Sequence, residues 1–365
     1  MFLNSGCTTK QKKVRIDHNK FTNANSGGHA ISATGPQGVV DNNTFYNVDY
    51  PIQAAFGDYR NWDNWGQMTY GAGVNNEFPL GDNLYFEDNV FTGIGVRYGF
   101  AGTIAYSQFS TRYAFRYNTF IPVSSAELQS AFDFHGNEGT DFYSSFGGEI
   151  YGNKIIMGIG KAVNLVGHRG GKLLMFYNNI LNTNSVGTNV REEQADSNNP
   201  TANQPQHVNN TYIWNNRKNT VTGELVAAYL SQDCCTGNSC TDPCIEDPTD
   251  CCYNGVGVPI SENIDWFNDA AAVGGSQTKG VGCGTLANRP TNCMIGTGYW
   301  ATDQSCTDLS GITGATGIGG HTRTSNITGT LYKCTATNTW TEYYKPLAYP
   351  HPLRRPEPPR KVWLK

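Results

Sequence analysis

Two short segments of this 365-residue chain carry reactive side chains at matched spacing. Asp133-Phe134-His135-Gly136 begins 15 residues after Asn118, and His168-Arg169-Gly170-Gly171 begins 15 residues after Asn153. Histidine exchanges protons near neutral pH, arginine stabilises a carboxylate or an enolate, and aspartate orients a histidine or holds a cation. Asp133, His135, His168 and Arg169 together suit removal of the proton α to a uronate carboxylate. Ca²⁺ is a candidate companion of Asp133, and no metal-ligand set is assigned. Glu149 and Lys172 fall near enough in the spacing to serve as substrate contacts. The bland alternative is a hydrogen-bonded brace at a chain corner. Glycoside hydrolysis is the competing chemistry and needs paired carboxylates ~5 Å or ~6.5–9.5 Å apart. Asp133 with Glu149, or Asp41 with Glu87, would be those pairs. No Ser-His-Asp arrangement, P-loop or dinucleotide fingerprint is evident.

The asparagines that set this spacing belong to a repeat. An apolar residue, two variable residues, Asn, one variable residue and a second apolar residue recur along the first two-thirds of the chain. Copies are Ile16-Asp17-His18-Asn19-Lys20-Phe21, Val40-Asp41-Asn42-Asn43-Thr44-Phe45, Phe86-Glu87-Asp88-Asn89-Val90-Phe91 and Phe115-Arg116-Tyr117-Asn118-Thr119-Phe120. Later copies are Ile150-Tyr151-Gly152-Asn153-Lys154-Ile155, Phe176-Tyr177-Asn178-Asn179-Ile180-Leu181 and a weaker Ile213-Trp214-Asn215-Asn216. Helical periodicity is absent over 14–220. Strands alternate faces with period two, so both apolar positions point inward and the Asn turns the corner between them. Stacked copies predict a parallel β-solenoid with an asparagine ladder through Asn19, Asn43, Asn89, Asn118, Asn153 and Asn179. Phe21, Phe45, Phe91 and Phe120 are expected to stack inside it.

On these motifs the chain resembles right-handed parallel β-helix proteins of the pectate-lyase-like superfamily. Val14-Arg15-Ile16-Asp17-His18 is similar to their Trp-Ile-Asp-His motif, with Arg where Trp is usual. Tyr343-Tyr344-Lys345-Pro346 through Tyr349-Pro350-His351-Pro352-Leu353 resembles the closing segment of secreted bacterial β-helix proteins of unassigned function. The resemblance implies an extracellular protein that binds or cleaves an acidic polysaccharide. Outward columns are then the place to seek function. Two before each ladder position stand Asp17, Asp41, Glu87, Arg116, Tyr151, Tyr177 and Trp214. Tyr151, Tyr177 and Trp214 would stack successive sugars, unless a loop or the C-terminal segment covers them.

Composition bounds these readings. Glycine numbers 42, asparagine 38, charged residues make up 15% and the net charge is −4. That balance argues against a nucleic-acid partner, and no apolar run is long enough for a membrane helix. The 12% aromatic content excludes a disordered chain. Ten of 11 cysteines fall between Cys234 and Cys334, which favours disulfides and an oxidising compartment over zinc or free thiols. Met1-Phe2-Leu3 is too short for a signal peptide, so a secreted protein would have its leader outside this chain. The expected organisation is a lead-in over 1–13, β-helix coils over 14–220, a Cys/Gly/Thr-rich irregular region over 221–345 and a Pro-rich tail over 346–365. Long loop insertions are expected at about 49–83, 121–147 and 182–210. The leading functional expectation is a secreted, polysaccharide lyase-like protein. A non-catalytic adhesin, surface or fibre scaffold is the alternative, and a glycoside hydrolase is the second alternative.

Overall fold

Apolar residues at alternate positions, interrupted by Asn, favour short strands joined at sharp corners. The computed structural model describes residues 2–4, 13–22, 29–34, 37–48, 50–54, 83–94, 105–107, 112–123, 131–134, 147–191, 208–218, 224–230, 260–302, 306 and 327–354. Within them the fold is nearly all β, and most strand pairs are parallel. The strands Val14–Asp17, Gly38–Asp41, Leu84–Glu87, Arg112–Arg116, Gly147–Tyr151, Lys172–Phe176, Thr211–Trp214 and Trp266–Phe267 pair in chain order as one eight-stranded sheet. One corner after each of the first seven, the chain enters a 13-stranded sheet, beginning with Lys20–Thr22, Thr44–Tyr46, Val90–Ile94 and Thr119–Pro122. A second run in that sheet holds Phe2–Asn4, His29–Thr34, Tyr50–Ala54, Ala105–Ser107 and Phe132–Phe134. The long strands Lys154–His168 and Asn179–Val190 each serve both runs.

Each corner has the same chemistry. The residue before the ladder Asn takes the left-handed conformation: His18, Asn42, Asp88, Tyr117, Gly152, Tyr177 and Asn215 all have positive φ. The Asn itself bridges repeats instead of bending the chain. Asn118 Oδ1 accepts from both the backbone N–H and the side-chain amide of Asn89, each at 3.0 Å. The Asn118 amide in turn donates to Asn153 Oδ1 at 3.0 Å and to the Phe86 carbonyl at 2.9 Å. The same pattern links Asn19 to Asn43, Asn43 to Asn89, Asn153 to Asn178 and Asn178 to Asn216. The ladder therefore passes through Asn178, and the expectation for Asn179 is corrected. Asn179 begins the next strand, opposite Lys154 and Arg217. Two adjacent asparagines satisfy the repeat in either frame. Packing selects the frame that sets Ile180 beside Ile155.

Inside the corners, the Phe21, Phe45, Phe91 and Phe120 rings stack at 4.8, 4.5 and 4.8 Å between centroids. Phe86 and Phe115 stack at 4.4 Å on the opposite wall. Ile16, Val40, Ile150, Met175 and Ile213 continue that wall, all buried.

The described part of the C-terminal region is more regular than its composition suggested. Val281–Gly284, Gly298–Ala301, Thr330–Ala336 and Thr339–Tyr344 form a four-stranded sheet. Disulfides Cys283–Cys306 and Cys293–Cys334 tie its strands and loops. They are compatible with an oxidising compartment. Cys7 and the six cysteines of 234–252 lie outside the described residues. This small sheet sits on the outward face of the eight-stranded sheet, where Trp300 meets Phe176 and Trp214 at 5.3 and 5.2 Å. The Tyr212 hydroxyl donates to the Gly296 carbonyl at 2.7 Å across the same contact. Of the expected tail, residues 346–354 pack along the sheet as a strap, and 355–365 lie outside the described residues. Among the described residues no helix is long and apolar enough to cross a membrane.

Replacing Asn118 by Ala would strip five hydrogen-bonding partners of one buried amide, while Phe91→Ala would open a cavity in the ring stack. Each should lower the free energy of unfolding by roughly 3–5 kcal/mol. Urea denaturation monitored by circular dichroism checks this.

Candidate functional site

Strand alternation decides which of the singled-out residues meet. Asp133 lies between buried Phe132 and Phe134 and points outward. The strand it belongs to pairs Asp133 with Gly167 and Phe134 with His168, one residue away from the match that equal spacing implied. A one-residue slip reverses the face of a side chain. His168 therefore points inward: it is fully buried, with its ring 5.8 Å from that of Phe134. Its Nε2 meets Thr211 Oγ1 at 2.9 Å. Burial pushes the imidazole down to about 3, against a backbone contact with Gly171, so it stays neutral at ordinary pH.

Arg169, the next residue, turns outward and closes on Asp133. Its guanidinium donates to Asp133 Oδ1 at 3.0 Å and Oδ2 at 2.9 Å, with Nε at 3.2 Å from Oδ1. Both carboxylate oxygens face the guanidinium, so a cation at Asp133 would have to displace it. Among the described residues no group of three or more His, Cys, Asp or Glu side chains is arranged to hold a metal ion. No step through Ca²⁺ is derived. His135 lies outside the described residues.

Glu149 belongs to the other sheet and does not join Asp133. It is buried on the outward face, where Asn83 donates to Oε1 at 2.5 Å and the Tyr344 hydroxyl donates to Oε2. Burial raises the carboxyl to about 7, while the hydrogen bond from Tyr344 and the charge of Arg116 hold it back. Lys172 starts a strand opposite Gly147 and is buried as well.

The aromatic column is real but roofed. Tyr151, Phe176 and Trp214 stack at 4.6 and 4.3 Å, and all three are fully buried. Phe176 takes the place expected of Tyr177, because the ladder runs through Asn178. Tyr177 is the left-handed corner residue with φ 54°. It too is buried, and burial pushes its phenol up to about 12. None of the three rings expected to stack sugars reaches the surface in this structure.

The carboxylate end of the same column is also closed. Asp41 and Glu87, one of the two candidate hydrolase pairs, are in register on neighbouring strands and fully buried. Arg15 donates to both oxygens of Asp41 at 3.1 Å. Burial raises Asp41, and Arg15 and Arg354 oppose the rise. Arg116 Nε donates to Glu87 Oε2 at 2.7 Å and its two terminal nitrogens reach the Leu347 and Ala348 carbonyls at 2.6 and 3.1 Å. Arg354 answers from the strap, 3.0 Å from Glu87, 3.3 Å from Asp41 and bonded to Asp88. Asp88 and Arg354 complete this network, as Asn83 and Tyr344 complete the surroundings of Glu149, and none of the four is among the candidate site residues of the sequence. Arg354 sits in a Pro-rich stretch that carries no motif.

No family model, no curated protein and no solved structure matches the chain.

Removing Arg169 leaves the half-buried Asp133 carboxylate without its bidentate partner. Arg169→Ala should lower stability by about 2–4 kcal/mol, read as a fall in urea midpoint, with Arg169→Lys intermediate. Glu149 makes a pH-dependent contribution. Its folded pKa is above the unfolded value, so its stabilisation is full below 4.5 and is lost as pH rises through about 7. Glu149→Gln should therefore gain melting temperature relative to wild type as pH rises from 5 to 8.

Proposed function

We propose that this chain is a right-handed parallel β-helix of the kind found in the pectate-lyase-like superfamily, and that its described part works as a non-catalytic scaffold of an extracellular surface or fibre. What carries the reading is the roof. The outward face that would hold a glycan cleft is filled by the protein's own four-stranded sheet and strap. A catalytic centre needs an accessible titratable group poised for the substrate. Asp133 is instead bound to Arg169, Glu149 is bound to Asn83 and Tyr344, and His168 is buried and neutral. The alternating strands and the asparagine ladder support the coil reading. The two disulfides support an oxidising compartment.

A lyase-like protein acting on an acidic polysaccharide is the second reading. One observation favours it: the Asp133–Arg169 ion pair is not wholly sealed, the Asp133 side chain keeping 14% exposure and the Arg169 side chain 9%. A uronate carboxylate would compete with Asp133 for that guanidinium.

Incubating the protein with polygalacturonate, alginate and a sulfated uronan should give no ultraviolet absorbance of unsaturated uronate. Appearance of that absorbance in wild type, and its loss in Asp133→Asn with circular dichroism unchanged, would overturn the scaffold reading in favour of the lyase.

A further inference from the structure

The strap is held at two ends by different chemistry. At its root, Tyr344 is bonded to Glu149. At its tip, Arg354 reaches Asp41, Glu87 and Asp88, the Tyr349 hydroxyl donates to Asp88 at 2.5 Å, and the His351 N–H donates to Glu87 Oε1 at 2.9 Å. His351 is buried, its ring 5.1 Å from that of Tyr85. The Leu353 N–H donates to His351 Nδ1 at 3.1 Å, a bond that requires this nitrogen to be unprotonated. Arg116 of the sheet and Arg354 of the strap both act on the ring as positive charges, opposed by Glu87. Arg15 stays engaged with Asp41 and Asp17 at the far edge, and the Tyr117 ring packs on Tyr349.

We propose that His351 is a pH-sensitive catch. In mild acid its protonation loosens the Pro350–Arg354 tip of the strap while Tyr344 keeps the root seated on Glu149, and each opening of the tip uncovers the carboxylates of Asp41, Glu87 and Asp88.

The geometry dictates the direction. An imidazolium loses the Leu353 bond and faces two guanidinium groups in a site shielded from water. Burial accordingly pushes His351 down to about 4 from its ordinary 6.5, with Glu87 resisting and Arg116 and Arg354 assisting. A group lowered on folding stabilises above its unfolded value, and that stability is lost as pH falls through the folded value. The window for the tip therefore runs from 6.5 down to about 4. Glu149, raised to about 7, has the opposite sign and holds the root more firmly in acid. Asp41 is raised as well and opposes release, but from an ordinary value of 3.8, far below that of histidine. In the upper part of the window the histidine acts first.

Hydrogen exchange of the full chain, corrected for intrinsic rates, tests the catch. Between pH 7.5 and pH 5, protection of the His351 and Leu353 amides should fall about 30-fold by proton linkage. Amides of Leu84–Glu87 and Arg112–Arg116 should keep theirs. His351→Asn retains a side-chain acceptor for the Leu353 N–H and cannot charge, so its tip should stay protected at both pH values. Equal loss in wild type and His351→Asn would overturn the proposal, as would loss shared by the sheet strands. Should His351→Asn fail to fold, an NMR titration of wild type decides. A His351 midpoint well below 6.5 that the strap amides track supports the catch, and an ordinary midpoint refutes it.

Discussion

A buried asparagine amide that bonds to its own image in the next repeat is the constraint from which this structure follows. Parallel strands leave a polar backbone at every corner, and a corner buried between repeats must satisfy it internally. Asparagine does so economically because it offers two donors and one strong acceptor on a short stem. Here the acceptor takes two bonds from the repeat before, and the donors reach the carbonyl of that repeat's core strand and the next amide. Register is thereby locked at every ladder corner. With register locked, one face of every strand is committed to the interior, and the phenylalanine stack forms from copies that coincide.

The repeat was legible in the sequence because it is local: six residues carry the corner, and their pattern survives insertions of any length between copies. Where the frame was ambiguous the reading slipped. Asn178 and Asn179 both fit the repeat, and the frame through Asn179 puts Tyr177 in the column that Phe176 occupies. The match between Asp133 and His168 failed for a related reason. Counting from the ladder assumes equal strand paths, yet the pairing around Lys154–His168 shifts register in several places. One residue of slip was enough to send His168 into the core and leave Arg169 outside with Asp133.

The roof was legible only in part. Its closing aromatic and proline segment stood out, but its contacts join residues far apart in the chain, from 84 positions for Tyr212 with Gly296 to 231 for Arg116 with Leu347. No window of sequence shows that an outward column is covered. Buried charge then takes on a different meaning. Asp41, Glu87 and Arg116 read from sequence as members of an outward column, with Asp41 and Glu87 a candidate hydrolase pair. In the fold they are fully buried and paired, which is the only inexpensive way to keep ions away from water.

A stack of near-identical repeats poses one further problem, which the outward column resolves. Translation by one strand spacing, ~4.8 Å, maps the ladder and the core onto themselves, so neither can fix where a covering segment lands. An apolar strap on an apolar column could sit at several heights with similar energy. The column that lies outward changes chemistry along its length, from the carboxylates of Asp41 and Glu87 through the Arg116 guanidinium to the rings of Tyr151, Phe176 and Trp214. Arg354 fits only where Asp41, Glu87 and Asp88 come together, and Arg116 meets strap carbonyls only at Leu347 and Ala348. A shift of one step would bury at least one ion without its partner, at a cost of several kcal/mol. The repeated geometry of the ladder builds the stack, and the irregular charges on its outer face give the strap its single address.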